Sequence, residues 1–174
     1  MKKYLLLTVL ILIIAVVATA IKGKNNYATQ IEVNHNYAIQ NVKTGKNLRP
    51  YNAGVEDGNK IVLYNHAEWK CMTWQFIQVE GETYQLKNLY TSKTLQPSSM
   101  PESGVALWQQ PLGSDILQYW EFIEQPDNKY LIRLKDTDLY ITISSDKTNS
   151  SIILMPKQNS SNQQWKLVEQ NPRF

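Results

Sequence analysis

Four short segments recur in one order three times along the chain, and this repetition restricts the available folds more than any other feature. Tryptophan marks it most clearly, in Thr73-Trp74-Gln75-Phe76, Tyr119-Trp120-Glu121-Phe122 and Gln164-Trp165-Lys166-Leu167. From Trp74 to Trp120 is 46 residues, and from Trp120 to Trp165 is 45. A strand-like segment opening with tyrosine precedes each one: Tyr37-Ala38-Ile39-Gln40-Asn41, Tyr84-Gln85-Leu86-Lys87-Asn88 and Tyr130-Leu131-Ile132-Arg133-Leu134. These start 47 and 46 residues apart, so two independent markers keep one period. Between them lie a polar turn, a short second strand around Leu48, Leu95 and Ile141, and a third strand at Ile61-Val62-Leu63-Tyr64, Val105-Ala106-Leu107-Trp108 and Ile152-Ile153-Leu154-Met155.

Apolar and polar residues alternate within the tyrosine and tryptophan segments, the period of a half-buried strand. No segment after Ala28 carries a 3.6-residue apolar period, so the chain is expected to be all-β. Three units of four strands suit a β-trefoil. A sandwich has no reason to repeat at this spacing, and a propeller normally has four or more blades. In a trefoil, Trp74, Trp120 and Trp165 become equivalent core anchors, each burying a large apolar area.

The first residues bear on compartment. Met1-Lys2-Lys3 is a basic head, Tyr4 to Val17 is apolar apart from Thr8, and Ala18-Thr19-Ala20 is a small-residue exit. This pattern predicts a signal peptide over 1–20, a linker over 21–35 and a folded domain over 36–170. The alternative is an uncleaved membrane anchor, because the apolar run extends to Ile21. Either way the expected location is secreted or cell-envelope, with membrane contact only through the N-terminal segment.

Without residues 1–20, 16 of the 18 Lys and Arg remain against 15 Asp and Glu. The basic residues are scattered, which excludes a phosphate-neutralising nucleic-acid binder. Cys71 is the single cysteine, so neither an intramolecular disulfide nor a thiolate metal cluster can form. His35 and His66 show no metal or catalytic spacing, and Glu80/Glu82 and Asp136/Asp138 sit at turns. No phosphate loop is present, so neither enzyme activity nor a cofactor or metal is expected.

Gln118-Tyr119-Trp120 and Gln163-Gln164-Trp165 carry a Gln-x-Trp signature at regular spacing, while Met72-Thr73-Trp74 departs from it. In this the chain resembles the ricin B-like lectins over roughly residues 36–169. The resemblance implies a shallow sugar cup in each repeat. Its parts are an Asp after the second strand, a Gln and an aromatic ring on the third, and an Asn-Gln pair before the tryptophan. A pyranose lays its C–H face on the ring, and its hydroxyls bond the amides and carboxylate.

On that template the first repeat offers Arg49, Val62, Tyr64, Cys71 and Met72, of which only Tyr64 fits. The second offers Gln96, Ala106, Trp108, Leu117 and Gln118, with Gln109, Gln110 and Asp115 in the adjoining loop. The third offers Thr142, Ile153 and Met155, followed by Asn162 and Gln163. The expected carbohydrate site is therefore Gln96, Trp108, Gln110 and Gln118, with Tyr64, Asn162 and Gln163 as weaker candidates. Trp69 stands outside the pattern, in a loop suited to a glycan or a protein surface. The expected partners are glycans or glycoconjugates. The competing expectation, favoured by the missing Asp in every repeat, is an interaction module or accessory subunit with a protein partner.

Overall fold

A computed structural model describes residues 30–172; the expected signal peptide and most of the expected linker lie outside the described residues. Twelve strands follow one another, joined by turns and single 3₁₀ turns. They are β1 (Asn36–Asn41), β2 (Asn47–Pro50), β3 (Ile61–Tyr64), β4 (Trp74–Glu80), β5 (Thr83–Asn88), β6 (Thr94–Pro97), β7 (Leu107–Gln110), β8 (Trp120–Gln125), β9 (Lys129–Leu134), β10 (Leu139–Ile143), β11 (Ile152–Pro156) and β12 (Trp165–Glu169).

Antiparallel pairing runs from β1 to β4, β5, β8, β9 and β12, and β12 pairs with β1 again, which closes a six-stranded barrel. The remaining strands form hairpins β2–β3, β6–β7 and β10–β11. Single bridges Lys60–Trp108, Ala106–Ile153 and Val62–Ser151 link the hairpins to one another in a triangle. This is the β-trefoil, and ring closure leaves the barrel without an edge strand.

The three indoles occupy equivalent places. Trp74 Nε1 donates to Leu48 O at 3.2 Å, Trp120 Nε1 to Leu95 O at 3.3 Å and Trp165 Nε1 to Ile141 O at 3.1 Å. Each ring is fully buried, and each bond fastens a barrel strand to its own cap hairpin. A buried indole needs such a partner, so the same residue supplies packing and register. Further down the barrel, Tyr37, Phe76, Tyr84, Phe122 and Tyr130 form an aromatic layer, with Phe76 and Phe122 centred 4.9 Å apart. Burial pushes the Tyr84 hydroxyl up to about 12, and the neighbouring Glu82 carboxylate adds to the effect.

The described part of the expected linker lies on the barrel. Ile31 joins the core, Tyr37 Oη accepts from Glu32 N at 3.0 Å, and Asn34 N donates to Phe76 O at 2.8 Å.

Candidate functional site

The outer faces of the three hairpins carry the side chains in question, and strand register decides which of them meet. Arg49 lies opposite Val62, Gln96 opposite Trp108, and Thr142 opposite Ile153. Trp108 therefore corresponds to Val62 and Ile153. The residue matching Tyr64 and Met155 is Gln110, which lies opposite Thr94. This corrects the alignment of the third strand in the second repeat by two residues: it runs Leu107–Gln110, not Val105–Trp108. A slip of two keeps every side chain on the same face, so the alternation of polar and apolar residues could not reveal it.

Trp108 is half-buried, and its ring lies against Gly58 of the loop joining β2 to β3. Gly58 has φ +77°, and a Cβ there would stand 3.5 Å from Trp108 Cε3. The same loop is gripped by Gln109, whose Nε2 donates to Gly54 O at 2.8 Å and Glu56 O at 2.6 Å. Gln109 is thus a buried brace between repeats. Gln96 and Gln110 remain half-exposed on the outer face beside Trp108.

Gln118 sits on the 3₁₀ turn Ile116–Gln118, capped by Asp115, whose Oδ1 accepts from Leu117 N at 2.9 Å. Only 3% exposed, its amide is fully occupied. Oε1 accepts from Gly113 N at 2.9 Å and Gln85 Nε2 at 3.1 Å, and Nε2 donates to Gln96 Oε1 at 2.9 Å and Pro111 O at 3.0 Å. An amide has two donors and two acceptor lone pairs, so none remains for a ligand. Gln163 repeats the arrangement on the turn Ser161–Gln163, capped by Ser160. Its Nε2 donates to Thr142 Oγ1 and Pro156 O, each at 2.9 Å, and its Oε1 accepts from Gln158 N at 2.6 Å. The Gln of each Gln-x-Trp thus ties the second strand to the loop after the third. Asn162 is half-buried beside it, with Oδ1 buried and without a hydrogen-bond partner.

The first repeat lacks this tie. Met72 stands in the glutamine's place, fully buried on the turn Lys70–Met72, which has no side-chain cap. Arg49 stands where Gln96 and Thr142 stand, 6% exposed, its guanidinium carbon 3.4 Å from the centre of the Tyr64 ring. Tyr64 is half-exposed and lies 6.5 Å from Trp69, which is 42% exposed. Asn47 Nδ2 and His66 Nδ1 are 2.9 Å apart on the same hairpin. Burial pushes the Cys71 thiol up, while Arg49 beside it pulls in the opposite direction. In the sequence alone, Arg49 reads only as a missing Asp. The departure of Met72 from Gln-x-Trp was the signal that its environment differs.

Among the described residues no group of three or more His, Cys, Asp or Glu could hold a metal, and no helix is long and apolar enough to cross a membrane. The model of the ricin-type β-trefoil lectin domain-like family matches residues 70–156. The chain belongs to this family.

Solved structures similar to this lectin-like chain show the same fold. The designed threefold-symmetric protein ThreeFoil is 20% identical, with TM-score 0.74, covering 77% of this chain and 98% of its own. The Macrolepiota procera ricin B-like lectin in complex with lactose is 19% identical, with TM-score 0.71, covering 82% and 100%. An exo-β-1,3-galactanase from Clostridium thermocellum is 23% identical, with TM-score 0.75; the match covers 80% of this chain and 31% of the galactanase chain. No curated protein sequence matches the chain.

Proposed function

We propose that this lectin-like protein is exported, binds carbohydrate without catalysis, and holds a neutral glycan on the outer face of the β6–β7 hairpin. The reading rests on one observation: Gln96, Trp108 and Gln110 share that face, half-exposed, in a member of the ricin-type family. Gln96 gives Oε1 to Gln118 and keeps its Nε2 for a sugar hydroxyl. Gln110 supplies a second amide, and the exposed part of Trp108 offers the apolar contact a pyranose face needs. Gln118 acts behind them as the brace that fixes Gln96. Such a shallow site binds weakly alone and gains from multivalent glycan surfaces.

A glycan array probed with the full chain and with Trp108→Ala and Gln96→Ala tests this. Retention of neutral glycans by the parent and at least tenfold weaker retention by both variants is the expected result. Binding indifferent to both changes would remove the site. A second reading, an interaction module or accessory subunit, draws on the missing carboxylate in all three hairpins, where Arg49, Gln96 and Thr142 stand. Retention of no glycan at all would favour it.

A further inference from the structure

Arg49 is a buried cation. Among the described residues no carboxylate lies within ion-pair distance of it, and its Nε is buried with no hydrogen-bond partner. A buried charge normally retains its place by pairing, because desolvation is expensive. The Tyr64 face under the guanidinium offsets only part of that cost. Of the acids that flank this hairpin in sequence, Asp57 pairs with Lys93, and Glu68 lines a different cleft, with His35, Asn36, Glu169 and Gln170. In the other two hairpins the equivalent second-strand side chain gives its oxygen to a bracing amide, that of Gln118 or Gln163. Here Met72 takes the place of the bracing amide, and the guanidinium meets the Cys71 thiol and the Tyr64 ring, neither of which neutralises its charge.

We propose that the β2–β3 hairpin is a second, separate site that takes an acidic sugar, its carboxylate on Arg49 and its ring against Tyr64 and Trp69. Guanidinium is planar and forked, and it meets a carboxylate through two parallel N–H···O bonds. Stacking on Tyr64 holds the fork in one plane. Trp69, with nearly half its surface open, provides the apolar wall that distinguishes a saccharide from a bare anion. The substitution of Arg for an acid at this position inverts the recognition chemistry: a carboxylate accepts from sugar hydroxyls, whereas Arg49 can only donate. This proposal shares with the function above the premise that the family fold binds saccharides here, but it uses a different hairpin and different residues.

The test is isothermal titration of the full chain with glucuronic acid and with glucuronamide, which keeps the ring and removes the charge. N-acetylneuraminic acid provides a second carboxylate sugar, galactose 6-sulfate a sulfate sugar, and sodium acetate a bare carboxylate. The expected result is at least tenfold preference for glucuronic acid over glucuronamide and no measurable acetate binding. Arg49→Gln should abolish that preference and leave neutral-glycan binding on the array unchanged. Trp69→Ala, an exposed change that spares the core, should weaken glucuronic acid several-fold. Arg49→Lys, which keeps the charge without the fork, should retain a reduced preference.

Equal binding of acid and amide, or an Arg49→Gln protein of unchanged melting temperature that still prefers the acid, would overturn the proposal. Acetate binding as tightly as glucuronic acid would reduce the site to an anion hole and also overturn it. Neutral glycans retained without glucuronic acid would sink this site alone. Glucuronic acid bound without neutral glycans would sink the β6–β7 site alone.

Discussion

Replacing Gln118 by leucine separates a structural amide from a ligand-binding one. The side chain is 3% exposed and makes four hydrogen bonds, to Gly113 N, Gln85 Nε2, Gln96 Oε1 and Pro111 O. Each is worth about 1 kcal/mol net, and partners left buried lose more. Gln96 is half-exposed and regains water, and leucine returns about 1 kcal/mol of apolar burial. The expected destabilisation is therefore about 2–3 kcal/mol. With a urea slope of about 2 kcal/mol/M, the midpoint falls by about 1–1.5 M. Tryptophan fluorescence follows the transition, since Trp120 lies two residues away. Gln163→Leu, which removes bonds to Thr142, Pro156 and Gln158, should behave alike. Met72→Leu, which alters no brace, should cost less than about 1.5 kcal/mol. A midpoint unchanged by Gln118→Leu, together with lost glycan retention, would refute the brace and return Gln118 to the ligand-contacting groups.

Other expectations follow from the same geometry. Trp74→Phe, Trp120→Phe and Trp165→Phe each remove an indole N–H bond and leave a small void, at about 1.5–3 kcal/mol apiece; costs differing by more than about 2 kcal/mol in urea melts would contradict equivalence of the repeats. Gly58→Ala forces a side chain into backbone at φ +77° while its Cβ meets Trp108 only at ordinary contact distance, so it should cost about 1 kcal/mol by thermal melting through backbone strain and leave neutral-glycan retention at Trp108 in place. In alkali, the native state keeps the Tyr84 proton to about pH 12, whereas the unfolded chain releases it near 10. The unfolded state then binds fewer protons, so stability falls as pH rises through this window, by about 2–3 kcal/mol for this group. Tyr37 and Tyr130 are shifted in the same direction by burial and steepen the fall. Tyr84→Phe should flatten the dependence of the urea midpoint between pH 10 and 12; an unaltered slope would remove Tyr84 as its source.

The repeat of tyrosine and tryptophan strands made the fold legible. Period-2 alternation assigned the strands, and the spacing of Trp74, Trp120 and Trp165 required three equivalent units. The sites were less legible. Gln118 and Gln163 stood out as candidates because the resemblance carried them, but the structure places both amides inside, where their bonds are already made. Nothing in one strand's sequence reports that Gln118 meets Gln85 and Gln96, since those partners lie 33 and 22 residues away.

What the chain's order of residues determined by itself was the set of inward faces: hydrophobic periodicity is local, and three copies of it admit one closed arrangement. Tertiary structure alone decided the outward chemistry. Trp108 sits opposite Gln96 and not at the position of Tyr64, because hairpin register is set by hydrogen bonding across strands, and a slip of two leaves the apolar pattern intact. Among the described residues Arg49 has no carboxylate partner, and the position that braces the other two hairpins through an amide, 23 residues later, is Met72. That relation exists only once the chain has folded and brought the two positions onto one hairpin and its bracing turn.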